Sequence, residues 1–163
     1  MEREISATLG LALPRRLWTD RAWWLLLVGG LLTAVAVFPV SGLDPLPSLP
    51  TSAVLWGAVL LWQPLVEELS FRGLLQGLMR EWAWGRRDWA GISIANLGTT
   101  LPFALLHLVY HPPLWAAAVV APSLVFGWLR DRHDSVWPAL IAHVVFNTGF
   151  FLSAWWTARG LFP

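Results

Sequence analysis

Two adjacent carboxylates and an arginine, Glu67, Glu68 and Arg72, arrive after residues 51–66, which carry no charge at all. A charged side chain at bilayer depth costs about 2.5–3.5 kcal/mol on insertion scales, so each needs a partner or a task. On a helix Glu68 and Arg72 stand four residues apart and can pair, which turns Glu67 about 100° away onto another face. The plain alternative is a helix leaving the membrane and meeting its first solvated charges. Further along, His107 follows Phe103 by four residues, and Asn147 follows His143 by four, so each pair shares a helix face. A single histidine in a membrane helix is more simply an interhelical hydrogen bond. Two histidines with an asparagine and an unpaired glutamate in one small chain point to more. Polar groups in a bilayer turn toward each other, so Glu67, His107, His143 and Asn147 are expected to converge on one cavity. A glutamate and a histidine sharing a water make a general base. A second histidine and an amide can donate to the oxygen that turns negative when water attacks a carbonyl. The chemistry suggested is amide hydrolysis by activated water, with no serine or cysteine nucleophile.

The elements that must position these groups are membrane helices. Of the 163 residues, 56% are hydrophobic and 13% charged, where a soluble domain carries about 25% charged residues. With thirteen tryptophans, the chain reads as an all-α, multi-pass membrane protein. A net charge of +1 supplies no basic stripe for nucleic acid. The absence of cysteine excludes disulfides and thiolate metal sites. All eleven basic residues are arginine, which reads as the codon composition of a GC-rich genome. The N-terminus does not resemble a cleaved signal peptide, because Pro14, Arg15 and Arg16 break its first apolar run.

About five spans are expected. Residues 1–21 read as an N-terminal segment at the membrane surface, and 22–158 as the transmembrane domain. Span one covers 22–40, with Trp23 and Trp24 as an interfacial anchor, and 41–50 is a proline-rich loop. Span two starts near Thr51, distorts at Pro64 and continues to Trp82, followed by an interfacial turn over 80–88. The forty-one residues from Trp89 to Leu129 lack Asp, Glu, Lys and Arg; His111-Pro112-Pro113 divides them into spans near 92–110 and 114–129. Residues 130–134 read as a charged turn, Ser135 and Pro138 as the start of the next helix, and span five as ending near Trp156. Nine of the eleven arginines lie in the N-terminus, the 80–88 turn and the 130–134 turn, which places the N-terminus inside and the C-terminus outside. On that topology His107 lies near the outer end of its span and His143 nearer the inner end of its own, so tilt or a re-entrant 107–114 segment must bring them level.

The run Glu67-Glu68-Leu69-Ser70-Phe71-Arg72 resembles the EExxxR motif of the CAAX protease and bacteriocin-processing (CPBP) family. These are intramembrane glutamic endopeptidases related to the type II CAAX prenyl protease. Phe103–His107 is similar to that family's FxxxH motif and His143–Asn147 to its HxxxN motif, while Phe126–Arg130 and Ser135–Pro138 look like the lead-in to the last motif. The resemblance covers about residues 52–150. It implies that Glu67 and His107 activate the water, that His143 and Asn147 stabilise the oxyanion, and that Glu68 with Arg72 holds the helix or positions the substrate, with Phe103 in support. It implies no metal and no cofactor, in agreement with the absence of HExxH. Five expected spans are fewer than the six to eight of many members, as in short relatives that cut C-terminal membrane anchors from secreted proteins.

The leading expectation is therefore a cell-membrane peptidase of the bacterial inner membrane, acting on a peptide or protein substrate within or beside the lipid bilayer. A non-catalytic membrane protein of the same fold, an immunity or chaperone-like factor, is the alternative. A proton or ion carrier is a third reading, weakened because spans one and four offer few polar groups.

Overall fold

The computed structural model describes residues 2–37 and 49–159. It is 76% helical with almost no strand, so the all-α expectation holds. Helix α1 is Glu2–Leu9, and a 3-10 turn, Leu17–Thr19, leads into α2, Arg21–Val37. Residues 38–40 of the first expected span, and the loop over 41–48, lie outside the described residues. Helix α3 runs without a break over residues 53–81. The Ser52 hydroxyl caps it by accepting from the Leu55 N–H at 3.3 Å.

Two stretches of α3 are wound as π-helix, Ala58–Trp62 and Leu69–Leu75. Pro64 has no N–H and its ring presses on the carbonyl four residues back. The wider turn ahead of it relieves that clash, and this widening is the distortion expected at Pro64. Each π stretch presents a main-chain carbonyl to another helix: Val59 accepts from the Asn147 amide at 3.4 Å, and Arg72 from the Arg130 guanidinium at 3.1 Å.

The interfacial turn after α3 contains a hairpin that the sequence did not suggest. Strands β1, Asp88–Trp89, and β2, Ile92–Ser93, pair antiparallel. Ala90 and Gly91 both take positive φ, 52° and 82°, as a tight primed turn requires. Ser93 then caps α4, Ile94–His107, by accepting from the Asn96 N–H at 2.9 Å. The third expected span is thereby shortened. Fourteen helical residues rise about 21 Å, short of a hydrocarbon core of about 30 Å. The turn at 108–112 divides α4 from α5, Pro113–Ala118, and α6 follows at once as Val120–His133.

The expected charged turn over 130–134 is corrected. Helix α6 continues through His133 and stops at Asp134, whose φ of 49° is left-handed. Arg130 is 1% exposed, because its guanidinium finds carbonyl acceptors inside the protein. The last helix, α7, Trp137–Ala158, starts after Val136 rather than directly after Ser135; the Ser135 hydroxyl, one residue before the cap, accepts from the Trp137 N–H at 3.3 Å, and Pro138 lies in the first turn. Among the described residues, two stretches are long and apolar enough to cross a membrane, Pro113–His133 and Trp137–Ala158, and Arg21–Ala36 is apolar but shorter.

Helices α2, α6 and α7 pack around Leu17, Trp23, Phe126, Leu129, Ala139 and Ala142. At one end of the bundle the arginine-rich segments meet. Asp20 accepts from Arg132 at 2.6 and 3.2 Å and lies 3.2 Å from His133. Arg80 pairs with Asp131 at 3.0 Å and also with Asp134. The hydrogen bond from Arg132 holds the Asp20 carboxyl below its usual 3.8; partial burial opposes this and the Ala22 N–H assists it. A depressed carboxyl contributes stability that is present above pH 3.8 and lost as pH falls through the lowered value. Asp20→Asn should therefore lower the unfolding midpoint in detergent at neutral pH and flatten its fall on acidification. An unchanged acid limb in the variant would contradict this.

Candidate active site

The site is built on the middle of α3. Glu68 and Arg72 lie on the face turned into the bundle, both 0% exposed. Arg72 Nη1 donates to Glu68 Oε1 at 3.1 Å, while Nη2 donates to the Ser123 carbonyl at 3.0 Å and to its hydroxyl oxygen at 2.7 Å. The guanidinium carbon lies 4.5 Å from the Phe103 ring centroid and 5.4 Å from that of Phe126, and desolvated cation–π contacts of this kind contribute about 2 kcal/mol. Ser123 passes the network on, donating to Thr100 at 2.9 Å. Thr100 in turn donates to Asn96 at 3.3 Å.

Glu68 has a second partner on α7. His143 Nδ1 donates to the same oxygen, Oε1, at 2.8 Å. The other ring nitrogen, Nε2, then lies 3.7 Å from Glu67 Oε2, and the Phe126 ring stacks on the imidazole at 4.8 Å. One imidazole thus stands between two adjacent carboxylates, because its nitrogens lie on opposite edges of the ring. The two glutamates are not equivalent. Glu68 is sealed, whereas the Glu67 side chain is 19% exposed. It is steadied by Gln63, one turn back, whose amide donates to Oε1 at 3.1 Å. Glu68 and Arg72 are both fully buried, engaged by each other, by Ser123 and by His143.

His107 and Asn147 are placed differently. His107 Nδ1 lies 2.8 Å from the Phe103 carbonyl. A carbonyl only accepts, so Nδ1 carries the proton and Nε2 of the neutral ring is left as an acceptor. Among the described residues His107 makes no hydrogen bond to Glu67, His143 or Asn147. Its ring lies 4.7 Å from Phe103 and 5.8 Å from His111. His111 lies in the turn between α4 and α5. Burial pushes its imidazole pKa down, His107 acts the same way, and Glu67 opposes them, so the turn feels both groups. Asn147 sits one turn beyond His143 with its amide on the Val59 carbonyl.

The structure thus brings Glu67, Glu68, Arg72 and His143 into one chain of contacts. Asn147 lies one turn away, and His107 is linked through Phe103, whose ring lies against both His107 and the Arg72 guanidinium. A groove of ≈ 350 Å³ is lined by Trp56, Leu60, Thr148, Leu152 and Trp155, of which Leu60 and Thr148 are the chain neighbours of Val59 and Asn147. Among the described residues, no three His, Asp or Glu side chains are arranged to hold a metal ion. Sequence reasoning missed Gln63, Ser123 and His111 as site residues, and named Phe126 only within the Phe126–Arg130 stretch. Gln63 precedes Glu67 by four residues and His111 follows His107 by four, so the same helical spacing offered a signal for both. Ser123 offered none.

Removing one partner of a buried ion pair costs about 3–5 kcal/mol. Arg72→Ala should therefore sharply reduce the yield of folded protein in detergent. Glu67→Gln, at the half-open carboxylate, should leave that yield close to the parent's. Equal losses for the two variants would contradict the division between a sealed ion pair and a partly open carboxylate.

The family described as Type II CAAX prenyl endopeptidase Rce1-like matches residues 49–149. That stretch opens just before α3, contains Glu67, Glu68, Arg72, His107 and His143, and ends two residues after Asn147. No curated protein and no solved structure matches the chain. The match spans well over half of the 163 residues, and the chain belongs to the Type II CAAX prenyl endopeptidase Rce1-like family.

Proposed function

We propose that this chain is an intramembrane endopeptidase that hydrolyses a peptide bond near the membrane surface. Its substrates are C-terminal regions of membrane-anchored or secreted proteins. The observation that carries the reading is the placement of His143: Glu68, sealed from substrate, holds Nδ1, while Nε2 faces the accessible Glu67. Family membership supports peptidase chemistry and a membrane location.

In the proposed reaction, Glu67 and the free Nε2 of His107 take a proton from water as its oxygen bonds to the substrate carbonyl carbon. His143, protonated on both nitrogens with Nδ1–H held by Glu68, donates from Nε2 to the resulting oxyanion; the Asn147 amide donates beside it, exchanging its Val59 carbonyl for the substrate oxygen. The abstracted proton then passes to the leaving nitrogen as the C–N bond breaks, giving a carboxylic acid and an amine, and the second water proton moves between them to leave a carboxylate and an ammonium group. The apolar groove beside Asn147 gives a membrane-embedded stretch of substrate a place against the site. Five spans with the N-terminus inside remain the arrangement we favour, supported by the meeting of the arginine-rich segments at one end of the bundle.

Mass spectrometry of membrane-protein C-termini, in cells with the intact chain and with Glu67→Gln, tests this reading. Truncated C-termini present only with the intact chain are expected. Identical C-termini in both would leave a non-catalytic membrane protein.

Metal is expected to be dispensable. Arg72 and His143 already occupy Glu68 Oε1, and an asparagine amide is a poor zinc ligand. Cleavage by the purified protein should survive exhaustive chelation, with no stoichiometric zinc by elemental analysis. One zinc per chain, with activity lost on its removal and restored on its return, would overturn the metal-free mechanism.

A further inference from the structure

The N-terminal segment, expected only to lie at the membrane surface, is bonded into the bundle through successive main-chain carbonyls. Thr8 accepts from Arg130 Nη2 at 2.8 Å and Gly10 from the Val136 N–H at 2.9 Å. Leu11 accepts from the Trp137 indole at 2.7 Å and Ala12 from the Ser135 hydroxyl at 2.7 Å. On the α3 side, the Thr8 hydroxyl donates to Glu81 at 2.6 Å. Gly77 passes so close to the Thr8 carbonyl that a Cβ would strike it. Gly10 takes a φ of +66°, with the Arg130 guanidinium where its side chain would stand.

Arg130 is the hub of this arrangement. Its Nε donates to the carbonyl of Arg72, the residue whose guanidinium holds Glu68. Its Nη1 is buried with no partner, so the side chain is committed to the protein interior at a cost. The α6–α7 corner that receives the strap also begins the helix that carries His143.

We propose that residues 8–12 are a strap, tied through Arg130, that sets the spacing of α3 against α7, and that Arg130 is thereby a positioning residue for the Glu67–His143 pair. The inference rests on the peptidase reading above for its kinetic consequence and on geometry alone for its structural one. Free of the strap, α3 loses the contacts that fix the rotation and depth of its second π stretch. Glu67 and Glu68 then no longer address the two edges of His143 together.

The chain contains no cysteine, so spin labels can be placed on the full-length protein at Val66→Cys on α3 and Thr148→Cys on α7, both exposed positions. With the strap intact, a narrow distribution of inter-label distances is expected. Arg130→Gln should broaden or displace it, and Arg130→Lys, keeping the charge and one donor nitrogen, should do so less. Gly77→Ala expels the strap while keeping the buried arginine, and decides the matter if Arg130→Gln does not fold. On a substrate identified from the C-termini, kcat in Gly77→Ala should fall by up to about 100-fold, the scale of a misplacement near 1 Å. KM should change little, since the lost interaction acts on the reacting geometry. A distance distribution in Gly77→Ala as narrow as the parent's and centred at the same value would overturn the strap. An intact chain that cleaves nothing would instead count against the peptidase reading, while the distances would still decide the strap.

Discussion

The charge of Arg72 has no route to water, and the rest of the site follows from how it is neutralised. A guanidinium with five donors in a low-dielectric interior demands a carboxylate, further acceptors and polarisable faces at once. Glu68 supplies the charge, Ser123 two oxygens from α6, and Phe103 and Phe126 the ring faces from α4 and α6. Three helices are therefore registered against one side chain. Glu68 has a second lone pair to offer on the same oxygen, and His143 from α7 takes it. The fourth helix is thus registered by the same pair. A buried ion pair of this kind adds little net stability; here it specifies which helix faces meet.

From that constraint comes the division of labour between neighbouring carboxylates. Consecutive helical residues point about 100° apart, so a sealed Glu68 leaves Glu67 turned toward the opening, steadied by Gln63. The π stretches of α3 belong to the same arrangement. A regular α-helix consumes its own carbonyls, whereas the widened turns at residues 58–62 and 69–75 let Val59 and Arg72 serve Asn147 and Arg130. The helix that carries both glutamates is held by its main chain at Val59 and Arg72 and by its buried arginine side chain.

Much of this was legible in the sequence where one helix sufficed to state it. The Glu68–Arg72 pair follows from four-residue spacing, and the break between α4 and α5 from His111-Pro112-Pro113. What escaped required knowing which helices touch. The bond from His143 to Glu68 joins residues seventy-five positions apart, and spacing along one helix has no access to it. Arg130 looked like part of a solvated turn because it stands among Asp131, Arg132 and Asp134; only the docked N-terminal segment supplies the acceptors that make its burial tolerable. The hairpin at Asp88–Ser93 was hidden because Ala90, not asparagine or glycine, takes the first left-handed position of its turn.

The claim that one glutamate holds the histidine while the other faces the reaction has a spectroscopic signature that needs no substrate. In protein carrying nitrogen-labelled histidine, the proton on His143 Nδ1 should resonate strongly downfield, as a proton donated to a carboxylate does. The account predicts that this signal persists in Glu67→Gln and disappears in Glu68→Gln. A signal that survives the loss of Glu68 and vanishes with Glu67 would contradict it.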